Sequence, residues 1–262
     1  MKYKAIVSDF DGTLVGKDQD IPEPVIQAIK SFTNKGNIFS IATGRMYAGR
    51  IESQVKKLGL KSLQITRVGS EIVDIIGKVI WGKYIKDNEA KEIVDYLKQK
   101  NQKLYVDKDV SIYTDENIGT EYGRQVKPLS SLEYLKIPKI GVLGGSLTKF
   151  EAENLVKDMG DKFHYINIFA AHNSRGWGLD ITVTGATKQI ALLEWAKLNN
   201  LKREDIVGVG DSYNDYPLLT ASGVGVAMGN AVDELKEIAD FIAPTQEESG
   251  ILEVINKYFQ DK

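Results

Sequence analysis

Apolar runs of strand length alternate with helical patterns at the start of the chain. Residues 5–7 form an apolar run that predicts a buried strand, and residues 38–42 predict a second one. Between them, apolar side chains recur at helical spacing after two prolines, and another helical pattern covers residues 47–58 before Gly59. Alternation of strand and helix is typical of a parallel sheet covered by helices.

The same alternation returns near the C-terminus. A helix is predicted after Lys188, a strand at residues 206–209, a helix after Asn214 and a strand at residues 224–227. Parallel strands are connected by helices that cover both faces of their sheet. We therefore predict an α/β fold with a doubly wound parallel sheet.

The middle of the chain follows a different pattern. Its predicted elements are a hairpin at Gly77, helices at residues 87–100 and from Thr148, and strands at residues 104–106, 110–113, 165–169 and 179–183. Glu151 follows Thr148 at the spacing of a capping box. We predict a smaller α+β domain at residues 83–183, inserted between the two segments of the core domain at residues 1–82 and 184–262.

Composition and charge exclude several classes of function. The 262 residues include 34 basic and 36 acidic ones, so a net charge of −2 gives no general attraction to nucleic acid or anionic membranes. The absence of cysteine excludes disulfides and thiolate metal sites. The apolar stretch before Asp9 is too short for a signal peptide or a membrane span. We expect a cytoplasmic protein that binds a small molecule.

Two carboxylates follow the first predicted strand. Asp9 and Asp11 are two residues apart, hence on one side of an extended chain, and Gly12 permits a sharp turn directly afterwards. Two anions so close repel each other, and oxygen ligands of this kind favour Mg²⁺ as the stabilising cation. An isolated Asp-x-Asp-Gly sequence is more often a turn with solvated acids, so this motif alone does not decide between the two interpretations.

A second acidic cluster follows the predicted strand at residues 206–209. The sequence Gly-Asp-Ser-Tyr-Asn-Asp at residues 210–215 contributes Asp211, Asn214 and Asp215. In a doubly wound sheet the carboxyl ends of the strands meet in one crevice, so both clusters should reach the same place. Asn214 or Asp215 could also cap the helix that follows, which is compatible with a metal site. Convergence of the clusters favours the metal site.

Two further features belong to the same predicted edge of the sheet. Thr43, Gly44 and Arg45 end a strand, where a hydroxyl, a glycine amide and a helix N-terminus can hold phosphate oxygens. Lys188 lies in the first turn of its helix, where a cation gains nothing from the helix dipole and can face an anion in the crevice. Taken alone, both features are weak signals. A lysine in the position of Lys188 is more often exposed to solvent.

In order, these sequences resemble the four motifs of the haloacid dehalogenase superfamily: Asp-x-Asp-Gly-Thr at residues 9–13, Thr-Gly-Arg at 43–45, Lys188, and Gly-Asp-x-x-Asn-Asp at 210–215. The resemblance covers nearly the whole chain. With an insert between the second and third motifs, the chain resembles the Cof-type phosphatases, in which an α+β cap lies over a Rossmann-like core. This implies a magnesium-dependent phosphatase of small organic phosphate monoesters, sugar phosphates among them, whose partner is a small phosphorylated metabolite.

The resemblance also implies roles for single residues. Asp9 would attack phosphorus to form an aspartyl phosphate, and Asp11 would protonate the leaving alcohol and then activate water. Mg²⁺ would be bound by Asp9, by the backbone carbonyl of Asp11, by Asp211, and by Asp215 as a further ligand or directly behind the ligands. Phosphoryl oxygens would be held by Thr43, Gly44, Lys188 and Asn214.

Departures from the family pattern concern substrate contacts. Arg-Val-Gly at residues 67–69 stands where relatives usually have Asn-Gly, and Gln189 stands where glycine is common. The candidate specificity residues are Arg45 and a polar cluster in the insert, His172, Asn173, Ser174 and Arg175. An exposed turn explains that cluster equally well. Aromatic residues of the insert, including Tyr105 and Trp177, are assigned to packing.

Three functions are compatible with these motifs. Ester hydrolysis is the first, phosphoryl transfer to an alcohol by a transferase or phosphomutase is the second, and a non-catalytic regulator that binds a phosphorylated metabolite is the third. The sequence leaves the substrate, the pathway and the oligomeric state open. Asp11 argues against the regulator, because a group placed to drive dephosphorylation is not needed by a mere acceptor.

Overall fold

The computed structural model describes residues 3–16, 20–118, 125–173 and 176–259, with the backbone alone at residues 171–173. Its strands are β1 (Ala5–Ser8), β2 (Ile38–Ile41), β3 (Gln64–Thr66), β4 (Glu71–Val73), β5 (Val79–Gly82), β6 (Leu104–Lys108), β7 (Ser111–Tyr113), β8 (Gln125–Lys127), β9 (Lys139–Leu147), β10 (Ile166–Asn173), β11 (Gly176–Val183), β12 (Ile206–Gly210), β13 (Val224–Ala227) and β14 (Phe241–Ile242). Its α-helices are α1 (Glu23–Asn34), α2 (Glu52–Leu58), α3 (Asp87–Gln99), α4 (Lys149–Lys162), α5 (Lys188–Leu198), α6 (Tyr216–Ala221), α7 (Asp233–Glu237) and α8 (Ile251–Phe259).

The core is a parallel sheet of five strands in the order β14-β13-β12-β1-β2. Successive residues of β1 face opposite sides: Ile6 packs with α1, α2 and α8, whereas Ala5 and Val7 pack with α5 and α6. Burial of both faces explains why the strands read as continuous apolar runs. The predicted doubly wound α/β core is confirmed.

The order of the strands places the polar loops of the core together. β1 lies between β12 and β2, and Ser8 at its end pairs with Val209 on one side and Ile41 on the other. The residues that follow these three strands therefore leave the sheet at the same edge.

A second sheet of six strands, in the order β10-β11-β9-β6-β7-β8, packs one face against α3 and α4. We call this sheet and its two helices the cap. The predicted capping box at the start of α4 is confirmed, since Glu151 N donates to Thr148 Oγ1 at 3.2 Å and Thr148 N donates to Glu151 Oε2 at 2.7 Å. A smaller α+β cap is thus confirmed, while its boundaries at residues 83 and 183 stay a prediction; β5 ends at Gly82 and β11 at Val183.

Other elements differ from the prediction. The helix expected over residues 47–58 is interrupted at Gly49, whose φ of 81° is a conformation that glycine adopts most readily, and α2 begins at Glu52. The predicted hairpin at Gly77 is confirmed as the antiparallel pair β4-β5, whereas its third strand β3, together with β14, α7 and α8, was not predicted. Among the described residues, none of the helices has the length and apolar character that a membrane span requires.

Candidate active site

Lys188 lies at the centre of the polar edge of the core sheet. Its ammonium donates to Asp9 Oδ1 and to Asp215 Oδ1, both at 2.6 Å, and its side chain is fully buried. Burial opposes the charged form, yet the carboxylates of Asp215 and Asp9 raise the pKa of Lys188 on balance. The lysine is therefore a buried cation shared by two acids that are distant in the sequence, and the solvent-exposed interpretation is wrong.

Three carboxylates surround this lysine. Asp9, Asp211 and Asp215 each offer an oxygen within 4.8 Å of the others. Burial raises the pKa of Asp9 well above its ordinary value, with Asp215 adding to the effect, and burial together with Asp215 raises the pKa of Asp211 to about 7. One ammonium does not balance three anions, so this oxygen-only set is electrostatically short of positive charge. The residues fit a hard divalent cation, and the cluster could hold a metal ion.

The loop after β12 is organised around Asp215. Its Oδ2 accepts hydrogen bonds from the amides of Asp211 and Ser212, each at 3.0 Å. Asp215 occupies the N-cap position of α6, but its carboxylate binds the turn before it and makes no cap bond to that helix. Asn214 Oδ1 is buried without a hydrogen-bond partner within the described residues, which leaves its amide for a ligand.

The turn after β1 brings Gly12 against Asp211. Gly12 has a φ of 85°, and a Cβ at this position would lie 2.2 Å from Asp211 Oδ2. Thr13 Oγ1 donates to Asp211 Oδ1 at 2.9 Å, and Asn230 Nδ2 donates to the Gly12 carbonyl at 2.8 Å. Glycine is therefore required here by both conformation and space. Asn230 was missed by sequence reasoning, since it follows a strand without a recognisable motif.

Arg45 forms an ion pair with Asp11. Two guanidinium nitrogens bind the two carboxylate oxygens, while Arg45 N donates to Thr43 Oγ1 at 3.1 Å. Thr43 is fully buried, and its amide donates to the Ile65 carbonyl. Sequence reasoning grouped Thr43, Gly44 and Arg45. In the structure Arg45 binds Asp11 directly, and Thr43 is joined to Arg45 by the bond from Arg45 N.

The cap contributes side chains that the sequence did not indicate. Lys139 Nζ donates to the Gly44 carbonyl at 2.7 Å and lies 3.1 Å from Asp180 Oδ1. Arg67, in the core, donates to Asp107 and to the Asp109 carbonyl in the cap, as well as to Glu71. Cap and core therefore meet through buried charged groups.

The predicted polar cluster of the cap is only partly described. In the ladder between β10 and β11, His172 pairs with Trp177 and Asn173 with Gly176. Ser174 and Arg175 lie outside the described residues. Contact of this cluster with a substrate stays a prediction.

Comparison with known proteins identifies this arrangement. The family model for haloacid dehalogenase-like hydrolases matches residues 6–255. The chain belongs to this family. This haloacid dehalogenase-like hydrolase is similar to phosphatase YwpJ of Bacillus subtilis, with 27% identity over 281 residues that cover 95% of the chain and 97% of the relative.

A second relative agrees with that assignment, and a solved structure agrees with the fold. The 5-amino-6-(5-phospho-D-ribitylamino)uracil phosphatase YcsE of Bacillus subtilis is 27% identical over 255 residues, which cover 97% of this chain and 95% of the relative. A solved haloacid dehalogenase-like hydrolase from B. subtilis has a TM-score of 0.85 at 24% identity and covers 98% of this chain and 100% of its own. The predicted identity as a Cof-type phosphatase of the haloacid dehalogenase superfamily is confirmed.

Proposed function

We propose that this phosphatase hydrolyses small organic phosphate monoesters in a magnesium-dependent reaction through a phosphorylated Asp9. The observation that carries the proposal is the bridge formed by Lys188 between Asp9 and Asp215 inside the carboxylate cluster. Because Lys188 binds Asp9 Oδ1, we assign Oδ2 as the oxygen that attacks phosphorus. Covalent capture divides hydrolysis into two easier steps.

In the first step, Asp9 Oδ2 forms a bond to phosphorus while the bond from phosphorus to the alcohol oxygen breaks. Asp11 gives its proton to the departing oxygen. In the second step, Asp11 takes a proton from water, whose oxygen attacks the phosphorus of the acyl phosphate and releases inorganic phosphate and free Asp9. Asp11 follows Asp9 by two residues, so the two carboxylates can serve one phosphoryl group in different roles.

The remaining residues bind the phosphoryl group and its charge. Mg²⁺ would be held by Asp9, the Asp11 carbonyl, Asp211 and Asp215, and when bound it would neutralise phosphoryl oxygens and carboxylates together. Thr43, Gly44, Lys188 and Asn214 would bind the phosphoryl oxygens. Asn214 supports this role because its buried Oδ1 has no hydrogen-bond partner within the described residues, and rotation of the amide can present either a donor or an acceptor there.

Small phosphorylated metabolites are the proposed partners. The name of the relative YcsE contains a phosphorylated ribityl group, so phosphates of sugars and polyols are the first esters to test. The cytoplasmic location stays a prediction.

A screen of phosphorylated metabolites tests the proposal. Wild type, Asp9→Asn and the surface control Asp158→Asn are compared with Mg²⁺ present or chelated, and inorganic phosphate is measured. We expect release by wild type and the control only, and only with Mg²⁺. Equal release by Asp9→Asn would contradict the nucleophile. Phosphorylated acceptor without stoichiometric phosphate would instead indicate a transferase, and stable phosphorylation without turnover a regulator.

A further inference from the structure

We propose that Lys139 of the cap is a positioning residue for the loop at residues 43–45. It fixes the peptide group between Gly44 and Arg45, and through that group it orients the hydroxyl of Thr43. The inference rests on the proposed function in one respect, that Thr43 binds a phosphoryl oxygen.

The first observation is a chain of hydrogen bonds that crosses a single peptide group. Lys139 Nζ donates to the carbonyl oxygen of Gly44 at 2.7 Å, and the amide of the same peptide, Arg45 N, donates to Thr43 Oγ1 at 3.1 Å. A cation on the carbonyl polarises the peptide and strengthens the bond that its N–H donates. Because Thr43 Oγ1 accepts that bond, its own proton is directed away from the peptide and toward an acceptor such as a phosphoryl oxygen.

The second observation is the support of Lys139 within the cap. Asp180 Oδ1 lies 3.1 Å from the ammonium and accepts a hydrogen bond from Tyr105 Oη at 3.0 Å. Tyr105 also places its ring 5.4 Å from Lys139 Nζ. Burial opposes the charge on Lys139, but Asp180 raises its pKa on balance, so the group that touches Gly44 is a cation.

The position of Tyr105 depends on Gly141, which pairs with it across the sheet. A Cβ at position 141 would lie 2.3 Å from the Tyr105 ring, so only glycine leaves room for the ring to cross β9 and reach Asp180. Three strands of the cap, β6, β9 and β11, thus combine to hold one lysine against a loop of the core. The assignment of Tyr105 to packing alone is incomplete.

The consequence is a link between cap position and phosphate binding. Lys139 belongs to β9 of the cap and Gly44 follows β2 of the core, so their bond requires the cap to rest on the core. Closure of the cap then orients Thr43, whereas an open cap leaves the 44–45 peptide without its cation.

A double-mutant cycle between Lys139 and Thr43 tests this inference. Binding of inorganic phosphate in the presence of Mg²⁺ is measured by titration calorimetry for wild type, Lys139→Met, Thr43→Val and the double variant. We expect Lys139→Met to weaken phosphate binding about tenfold in the wild-type background, as for loss of one charge-assisted hydrogen bond. In the Thr43→Val background, the same change should have an effect of less than about twofold, because the hydroxyl through which Lys139 acts is gone.

Lys108 supplies a matched control. It is also a buried cap lysine that donates to a backbone carbonyl, but that carbonyl belongs to Glu133 in the cap, at 3.2 Å. Lys108→Met should leave phosphate binding unchanged even where it lowers stability. Equal losses from the two lysine variants, or an equal effect of Lys139→Met in both backgrounds, would overturn the inference.

Two other outcomes are also decisive. If Lys139→Met does not fold, Asp180→Asn keeps the lysine but removes its anchor, and it should weaken phosphate binding only when Thr43 is present; an unchanged affinity overturns the inference. If wild type binds phosphate but hydrolyses no ester, the proposed function is contradicted, while the double-mutant cycle still tests the role of Lys139. Wild type that binds no phosphate overturns both.

Discussion

The guanidinium of Arg45 binds both carboxylate oxygens of Asp11, with Nε 2.7 Å from Oδ2 and Nη2 2.5 Å from Oδ1. The side chains are 26% and 40% exposed, so solvent screens the pair and its contribution to stability is at most ~1 kcal/mol. A substrate can therefore displace the arginine at little cost. In the proposed mechanism this is a resting position of Asp11, and one of its oxygens must be released from Arg45 before Asp11 transfers a proton.

Asp11→Asn should separate the two chemical steps. The asparagine cannot activate water, so turnover of p-nitrophenyl phosphate should fall by about 10²–10⁴-fold. The nitrophenolate leaving group of this substrate needs no proton, so Asp9 should still be phosphorylated. We therefore expect a burst of nitrophenolate followed by a stable phosphoenzyme. Rapid-quench kinetics and intact-protein mass spectrometry measure both. A variant without a burst would contradict the assigned division of labour.

Arg45→Met distinguishes a resting contact from a substrate contact. Because this variant keeps Asp11, we expect turnover within about tenfold of wild type and no accumulation of phosphoenzyme. Steady-state kinetics on the best ester of the screen give kcat and KM separately. A rise in KM with kcat unchanged would show that Arg45 binds substrate directly. That result would support the sequence-based prediction that Arg45 is a specificity residue.

Asp211 should make the stability of the metal-free protein depend on pH. Its pKa rises from an ordinary value of 3.8 to about 7 in the folded state, through burial and Asp215. The folded chain therefore holds this proton more tightly than the unfolded chain. The contribution of this group to the free energy of unfolding is fully present below pH 3.8 and is lost as the pH rises through about 7.

Chemical denaturation of metal-free wild type and Asp211→Asn across this pH range measures that contribution as a difference. We expect the variant to lack the component of the decline that wild type shows between the two values. If Asp211 is a ligand of Mg²⁺, as we propose, its ionised carboxylate is the form that binds. The stabilisation that Mg²⁺ gives wild type should then grow over the same interval and be much smaller in Asp211→Asn. A parallel pH dependence in the two proteins would contradict the raised pKa.

The predictable parts of the site are those with a local cause. Asp9 and Asp211 directly follow apolar runs, so strand order alone brings them together, and the capping box at Thr148 spans only four residues. Lys139 meets Gly44 across 95 residues, and Arg67 meets Asp107 across 40. These contacts depend on how the cap rests on the core. Hydrophobic periodicity in a single sequence predicts helices and strands, but it does not predict how two domains pack together. The break at Gly49 was missed because apolar spacing continues through it.

Gly12→Ala should disrupt the metal site, and Gly36→Ala is its matched control. Both glycines have a φ near +85°, but a Cβ at position 36 meets nothing within 4 Å, whereas one at position 12 would lie 2.2 Å from Asp211 Oδ2. Each variant incurs backbone strain of about 1 kcal/mol, and only Gly12→Ala must displace Asp211. We expect Mg²⁺ affinity, measured by calorimetry, to fall at least about tenfold in Gly12→Ala alone. Equal affinities would contradict the steric role of Gly12.

Arg67→Met should destabilise the junction of cap and core. The buried guanidinium lies between Glu71 and Asp107 and also donates to the Asp109 carbonyl. Burial raises the pKa of Glu71 and Arg67 opposes that rise, so removal of the arginine leaves two desolvated acids without their cation. We expect a loss of ~3–5 kcal/mol in the free energy of unfolding, measured by denaturant titration.

The exposed pair of Lys56 with Glu52 supplies the control for that measurement. Their side chains are 68% and 37% exposed, so Lys56→Met should cost less than ~1 kcal/mol. If the loss in Arg67→Met comes from unpaired acids, then adding Glu71→Gln and Asp107→Asn should recover part of it, since neutral amides are less costly to bury than carboxylates. No recovery in the triple variant would show that Arg67 stabilises the junction by packing, and not by its charge.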